Sequence, residues 1–211
     1  MAAFLVVLDV DSTLIEDEVI ELIAEQAGVR EEVARITTEA MAGERDFSWS
    51  LNERVALLRG LPVDVLDDVR GEVRVTPGVP ELIAGVHAAG GMIAAVSGGF
   101  HEVLDPLGRS LGLDVWRANR LGAQDGRLTG LVDGPIVDAT AKAAALREWA
   151  AAFSVPLTRT VAIGDGANDL AMMAQAALSI AFDAKPRVRA AADIALEVRD
   201  LSTVLGVLGL S

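Results

Sequence analysis

Phe4-Leu5-Val6-Val7-Leu8-Asp9-Val10-Asp11-Ser12-Thr13 stands close to the amino end of the chain. Its first seven residues are apolar or β-branched apart from Asp9, which predicts a strand buried on both faces, as in a parallel sheet. Residues i and i+2 of a strand point the same way, so Asp9 and Asp11 are predicted to face one site and Val10 the opposite side. Two carboxylates that close cost energy unless one is protonated or a cation lies between them. A pair of Asp residues in a solvated turn has the same local sequence, so this stretch alone leaves its role open.

Similar short runs recur at Gly91–Val96, Thr160–Ile163, Leu178–Phe182 and Ile194–Leu196. Helical spacing separates them at Val79–Ala89, Phe100–Leu111, Ala141–Ala152, Leu170–Ala177 and Lys185–Ala192. Strands alternating with helices predict an α/β fold, a doubly wound Rossmann-like parallel sheet. Two stretches break the rhythm. Residues 15–74 contain no convincing strand, but Val19, Leu22 and Ile23 share one helical face and Val55, Leu58 and Leu61 another. Gly28, Gly43 and Gly60-Leu61-Pro62 read as helix ends. An insertion of about 60 residues is too large for a loop. We therefore expect a small all-helical cap at 15–74, inserted after the first strand of a core made of 1–14 and 75–211. Leaving the carboxyl edge of the sheet, it is placed to act as a lid. The second break, Val115–Val137, carries Asp125-Gly126 between short strand-like runs and predicts a β-hairpin.

The 211 residues are 52% apolar but only 4% aromatic, so the core must be built from Ala, Val, Leu and Ile. Without cysteine the chain has no thiol chemistry, disulfide or Cys-based metal site, which fits a cytoplasmic protein. A net charge of −13 with no basic stripe argues against nucleic acid and acidic membranes as partners. The same charge repels a phosphorylated metabolite, so such a substrate needs a local reversal of sign from bound cations or placed Lys and Arg. No apolar run is long enough to span a membrane.

Further motifs fall at predicted strand ends. Gly164-Asp165-Gly166-Ala167-Asn168-Asp169 follows a buried strand and offers carboxylates suited to a hard cation; an Asp-Gly turn with a helix cap reads the same. Ser97-Gly98-Gly99 could hold phosphate oxygens through its hydroxyl and bare backbone N–H groups, or be a plain tight turn. Lys142, early in an Ala-rich helix, has a solubilising charge as its ordinary reading.

In order along the chain, these motifs resemble the haloacid dehalogenase-like phosphohydrolases: an Asp-x-Asp-x-Thr strand end, a Ser strand end, a Lys and an acidic Gly-Asp loop. The resemblance extends to the phosphoserine phosphatases among them. It is carried by Asp11-Ser12-Thr13, Glu18, Met41, Phe47, Arg54, Ser97–Phe100, Thr129-Gly130, Lys142, the loop at 164–169 and Ala181–Pro186. It implies a phosphatase that removes phosphate from O-phospho-L-serine, a last step in serine synthesis. Asp9 would be the nucleophile and form an aspartyl-phosphate. Mg²⁺ would be held by Asp9, Asp165 and the Asp11 main-chain carbonyl. The Asp11 side chain would be acid and then base. Lys142, Ser97 and the Gly98 N–H would hold the phosphoryl group. Asn168 would orient phosphate or water, and Asp169 would support the metal's water shell or Lys142.

For specificity the resemblance puts Glu18 on the substrate ammonium and Arg54 on its carboxylate, with Met41 and Phe47 closing the pocket. Taken without it, the first two read as surface charges and the last two as core. Phosphothreonine, phosphohomoserine or phosphocholine on the same cap type, or a non-catalytic phospho-ligand binder, are the competing expectations. Phosphocholine offers Arg54 no carboxylate, and a binder needs no nucleophile. A chain that opens almost on its first strand is expected to lack an amino-terminal regulatory domain, and to act as a monomer or homodimer. His101 is expected at the surface, and Trp49, Trp116 and Trp149 in packing.

Overall fold

The computed structural model describes residues 2–41 and 46–210. Strand β1 (Leu5–Leu8) lies at the centre of a sheet that also contains β2 (Met92–Phe100), β3 (Val115–Gln124), β4 (Arg127–Asp133), β5 (Thr160–Gly164), β6 (Leu178–Phe182) and β7 (Ile194–Leu196). The order is β4-β3-β2-β1-β5-β6-β7, and every pair is parallel except β3 with β4. The chain turns from β1 to β2 on one side and later to β5 on the other. The carboxyl end of β1 is thus the switch point, where open α/β sheets bind ligands.

Both faces of β1 are buried, and its alternating side chains enter different cores. Val6 and Leu8 pack with α5 (Val79–Ala88) and α6 (His101–Leu111), whereas Leu5 and Val7 pack with α7 (Ala139–Ala152), α8 (Leu170–Met173) and α9 (Pro186–Ala191). That is why the strand reads as an unbroken apolar run. A final helix, α10 (Thr203–Leu208), lies against α5.

Between β1 and α5 the chain forms α1 (Val19–Gln26), α2 (Arg30–Met41), α3 (Phe47–Ala56) and α4 (Val65–Glu72). Val19, Leu22, Ile23, Val55 and Leu58 are buried, as their spacing predicts, while Leu61 is half-buried. Helix α1 ends before Gly28, whose φ of 69° is left-handed. Gly43 lies outside the described residues. Where the segment leaves and rejoins the sheet, Ile15 pairs with Val75, the Glu16 N–H donates to the Arg74 carbonyl at 2.9 Å, and Arg74 pairs with Asp17.

The hairpin expected around Asp125-Gly126 is β3–β4, with both turn residues left-handed (φ 51° and 73°), as a two-residue hairpin requires. It also holds the helical segment from the far side. The Gly60 N–H donates to the Leu128 carbonyl and the Leu128 N–H to the Leu61 carbonyl, both at 2.8 Å. The Val63 N–H donates to the Gly126 carbonyl at 3.0 Å.

Three local expectations differ. Strand β2 runs through Ser97-Gly98-Gly99 to Phe100, so this motif is a bulge within a strand and not a turn after it. Helix α8 stops at Met173, well short of Ala177, after a single turn of tighter helix over Ala167–Asp169. Strand β1 ends at Leu8, and Val10–Leu14 form a tight loop closed by the Ile15 N–H on the Val10 carbonyl at 3.0 Å.

Candidate active site

Above the carboxyl ends of β1, β2 and β5 lies a cavity of about 470 Å³, roofed by α1, α2 and α3. Asp9, Asp11, Glu18, Phe47, Arg54, Gly98, Asp165 and Asn168 line it. Ser97 and Lys142 lie behind that lining, bonded to residues that face it. Met41 ends α2, and its side chain lies outside the described residues.

Asp9 and Asp11 reach the same cavity by a different route from strand alternation. The backbone has left the strand by Asp9, and Ser12 takes up left-handed dihedrals (φ 59°, ψ 2°), turning the chain back beneath the cavity. Asp9 Oδ1 accepts from the Val10 N–H at 2.7 Å and from Lys142 Nζ at 2.6 Å. Among the described residues its Oδ2 accepts no hydrogen bond. Asp11 Oδ1 accepts from the Val19 N–H at 2.8 Å and Oδ2 from the Ser97 hydroxyl at 2.9 Å.

Lys142 is 0% exposed and donates to Asp9 Oδ1 and, at 2.8 Å, to Asp169 Oδ1. Burial alone would lower its pKa, but Asp169 and Asp9 outweigh it and hold the ammonium above its ordinary range. The other Asp169 oxygen accepts from the Gly166 N–H at 3.0 Å, which shapes the acidic loop. Asp169 therefore supports Lys142 directly. Among the described residues the Asp165 carboxylate accepts a side-chain hydrogen bond only from the Thr13 hydroxyl, at 3.5 Å, the limit of a hydrogen bond.

Asp9, Asp165 and Asp169 present oxygens within 4.8 Å of one another. Lys142 pairs with two of these three buried carboxylates, so the cluster is short of positive charge. Burial, then Asp169, pushes Asp9 well above the usual carboxylate range, and the same causes push Asp165 to about 6. An all-oxygen set short of positive charge fits a hard divalent cation, which would restore both groups to their ionised forms.

On the roof, Arg54 is 7% exposed and has no carboxylate within ion-pair distance among the described residues. Its Nε donates to the Ser50 carbonyl at 3.2 Å and its Nη1 to the Thr37 hydroxyl at 3.1 Å. Burial lowers its pKa, with Glu18 and Asp11 acting against that from a distance. Such a guanidinium still has donors to spare for a planar anion. Thr37 escaped the sequence reading; its signal is positional, one α-helical turn after Val33, whose carbonyl its hydroxyl also bonds at 2.9 Å.

Glu18 faces Arg54 across the cavity and accepts from the Ser12 hydroxyl at 2.8 Å. Burial first, and Asp11 next, push it up from 4.5 to about 8. Its folded pKa is thus raised, so its stabilising share is full below 4.5 and is lost as pH rises through about 8. Glu18→Gln keeps the acceptor for Ser12 and removes the charge. In the protein free of metal and substrate, its advantage in thermal unfolding over the wild type should open above pH 4.5 and level off above about 8. A difference that does not change with pH would refute this account of Glu18.

Two outlying expectations are corrected or refined. His101 is half-buried, not at the surface: Nδ1 donates to Asp105 at 2.6 Å and Nε2 accepts from the Ala118 N–H at 3.2 Å, tying α6 to β3. Trp149 and Trp116 pack as expected, but Trp49 is 40% exposed. Among the described residues no helix is long and apolar enough to cross a membrane.

Comparison with known proteins agrees with this geometry. The profile described as haloacid dehalogenase-like hydrolase matches residues 6–174. A phosphoserine phosphatase of Streptomyces coelicolor is 57% identical over 98% of this chain, and the chain spans 50% of that protein's length. One from Lactococcus lactis is 48% identical, with 95% of this chain and 93% of that protein covered. A solved structure described as a phospho-aspartyl intermediate analogue of phosphoserine phosphatase superposes with a TM-score of 0.94 at 42% identity, covering 98% of this chain and 99% of the other. A substrate-bound phosphoserine phosphatase superposes with a TM-score of 0.93 at 43% identity, covering 97% of each. The chain belongs to the haloacid dehalogenase-like hydrolase family, in the branch whose named members are phosphoserine phosphatases.

Proposed function

We infer that this chain is a Mg²⁺-dependent phosphatase that converts O-phospho-L-serine to L-serine and phosphate, in the cytoplasm, as a step of serine synthesis. The observation that carries the substrate is Arg54: a buried guanidinium with no carboxylate partner among the described residues, in the same cavity as the Asp9, Asp11 and Asp165 carboxylates. A phosphorylated amino acid offers that cavity a carboxylate for Arg54, an ammonium for Glu18 and a phosphate for the floor. The relatives named as phosphoserine phosphatases support the same reading.

In this reading Asp9 Oδ2 attacks phosphorus while the bond from phosphorus to the serine oxygen breaks. Lys142, held on Asp9 Oδ1, fixes the carboxylate that carries the attacking oxygen. Asp11, whose pKa burial raises, is protonated at the start and gives that proton to the leaving serine oxygen. Its carboxylate then takes a proton from water, whose oxygen attacks the aspartyl-phosphate and returns Asp9 and free phosphate. Ser97, the Gly98 N–H and Lys142 hold the spreading charge of the phosphoryl group, and Asn168 orients it. The Asp9 and Asp165 carboxylates and the Asp11 main-chain carbonyl would hold the Mg²⁺, which when bound neutralises the crowded anions. Residues 15–74 act as a cap, in which Met41 and Phe47 exclude water. Every group invoked comes from one chain, so a monomer or a homodimer suffices.

The test is phosphate release from a panel of phosphorylated metabolites, with and without Mg²⁺. Phosphoserine should be turned over best, and only with the divalent cation. Better turnover of phosphocholine would refute the role of Arg54. Arg54→Ala should raise KM for phosphoserine about 10–100-fold, the worth of a charge-assisted contact, and leave p-nitrophenyl phosphate nearly untouched. Equal losses on both substrates would remove Arg54 from carboxylate recognition.

A further inference from the structure

The bulge in β2 has a support that the reaction scheme does not use. Val96 pairs with Arg117 and Phe100 with Asn119, so three residues of β2 stand opposite one residue of β3. Two of the three are glycines, which do little to fix their own backbone. A side chain cannot be added at Gly99 to stiffen it, because a Cβ there would come within 2.8 Å of Asp11 Oδ2 and 3.0 Å of Ser97 Oγ. Some other group must orient the Gly98–Gly99 peptide.

Asn119 is 1% exposed and grips that peptide. Its Nδ2 donates to the Gly98 carbonyl at 2.8 Å, and its Oδ1 accepts from the Val137 N–H at 2.7 Å. One partner can only accept and the other only donate, so the orientation of the side-chain amide is fixed. In a trans peptide the C=O and N–H point in opposite directions. With the Gly98 carbonyl anchored on Asn119, the Gly99 N–H points the other way, and it donates to Ser97 Oγ at 2.7 Å. The occupied lone pair leaves the Ser97 hydroxyl to donate to Asp11 Oδ2 at 2.9 Å.

We propose that Asn119 is a positioning residue for the Ser97–Asp11 pair, acting through the Gly98–Gly99 peptide. The continuous series runs from the Val137 N–H through the Asn119 amide, the Gly98–Gly99 peptide and the Ser97 hydroxyl to Asp11. Asn119 touches neither substrate nor reacting atoms, and its effect on turnover rests on the phosphatase reading above.

Asn119→Asp separates this role from simple packing. It keeps the shape and the acceptor for Val137 but sets a carboxylate oxygen against the Gly98 carbonyl. The expected result is a kcat for phosphoserine lower by about 10–100-fold, as for other supports behind a reacting group, with KM changed by less than about threefold. In a Ser97→Ala background the same substitution should cost less than about twofold, since the relay is already cut. Equal fractional losses in the two backgrounds would overturn the proposal. A second measurement needs no turnover: in the substrate-free protein, the Gly99 amide resonance should move on Asn119→Asp and on Ser97→Ala alike. A Gly99 resonance indifferent to Asn119→Asp overturns the relay even if kcat falls. If the wild type fails to hydrolyse phosphoserine, the phosphatase reading fails, and the resonance still decides the relay.

Discussion

Asp9→Asn is expected to lower phosphoserine turnover by at least about 10⁴-fold, the scale of losing a covalent nucleophile, while the protein stays folded. An amide oxygen can still accept from the Val10 N–H and from Lys142, the two bonds that Asp9 Oδ1 makes now. What disappears is the ionisable Oδ2, which accepts no hydrogen bond among the described residues. Stability should hold or rise in the metal-free protein, because burial and Asp169 already oppose ionisation at this position and the substitution removes that charge. Enzymes accelerate phosphate monoester hydrolysis by up to ~10²¹-fold, so no residual electrostatic effect can stand in for the covalent route. Acid quenching of the wild type during turnover should trap a base-labile acyl-phosphate, and the variant should trap none. Turnover within about tenfold of wild type, or a label that persists in the variant, would move the nucleophile elsewhere.

The parts of the site that were legible in the sequence are those set by short-range rules. Leu5–Leu8 reads as a buried strand because both of its faces meet helices, so every position is apolar. Asp125-Gly126 reads as a hairpin because few residue pairs tolerate two left-handed positions in succession. The helices of 19–72 follow from periodic burial, with Val19, Leu22 and Ile23 on one stripe.

The misreadings come from tertiary contacts that leave no local trace. Ser97-Gly98-Gly99 has the composition of a turn, and a bond from Asn119 to Gly98, between β3 pairings at Val96 and Phe100, holds it within the strand. Strand alternation gave the right convergence of Asp9 and Asp11 for the wrong reason. A serine at positive φ is not something its neighbours announce. Asn119 itself was invisible, because its partners lie 21 and 18 residues away. The motifs at 9, 97, 142 and 165 were each ambiguous alone. They became readable through their order, since each expected strand end delivers its residues to one edge of the sheet.

Lys142→Met should cost both stability and activity, with a dependence on pH and metal that identifies the cause. Met matches the length of the Lys stem and carries no charge. It leaves Asp9 and Asp169 buried together without their shared ammonium, where breaking a buried pair typically costs about 3–5 kcal/mol. Asp9, already raised by burial, should then titrate higher still. The penalty is therefore largest at neutral pH, shrinks as pH falls and the carboxyls protonate, and is partly offset when a divalent cation binds beside them. A loss that came only from packing would be indifferent to both variables, which makes the comparison of unfolding at low and neutral pH, with and without Mg²⁺, the deciding measurement. Turnover should fall about 10²–10³-fold even at saturating substrate and metal, because the ammonium stabilises charge on the transferring phosphoryl group. A variant as stable as the wild type at neutral pH in the absence of metal would refute the pairing of Lys142 with Asp9 and Asp169 as a source of stability. The buried cation would then be no counterweight to the acidic cluster.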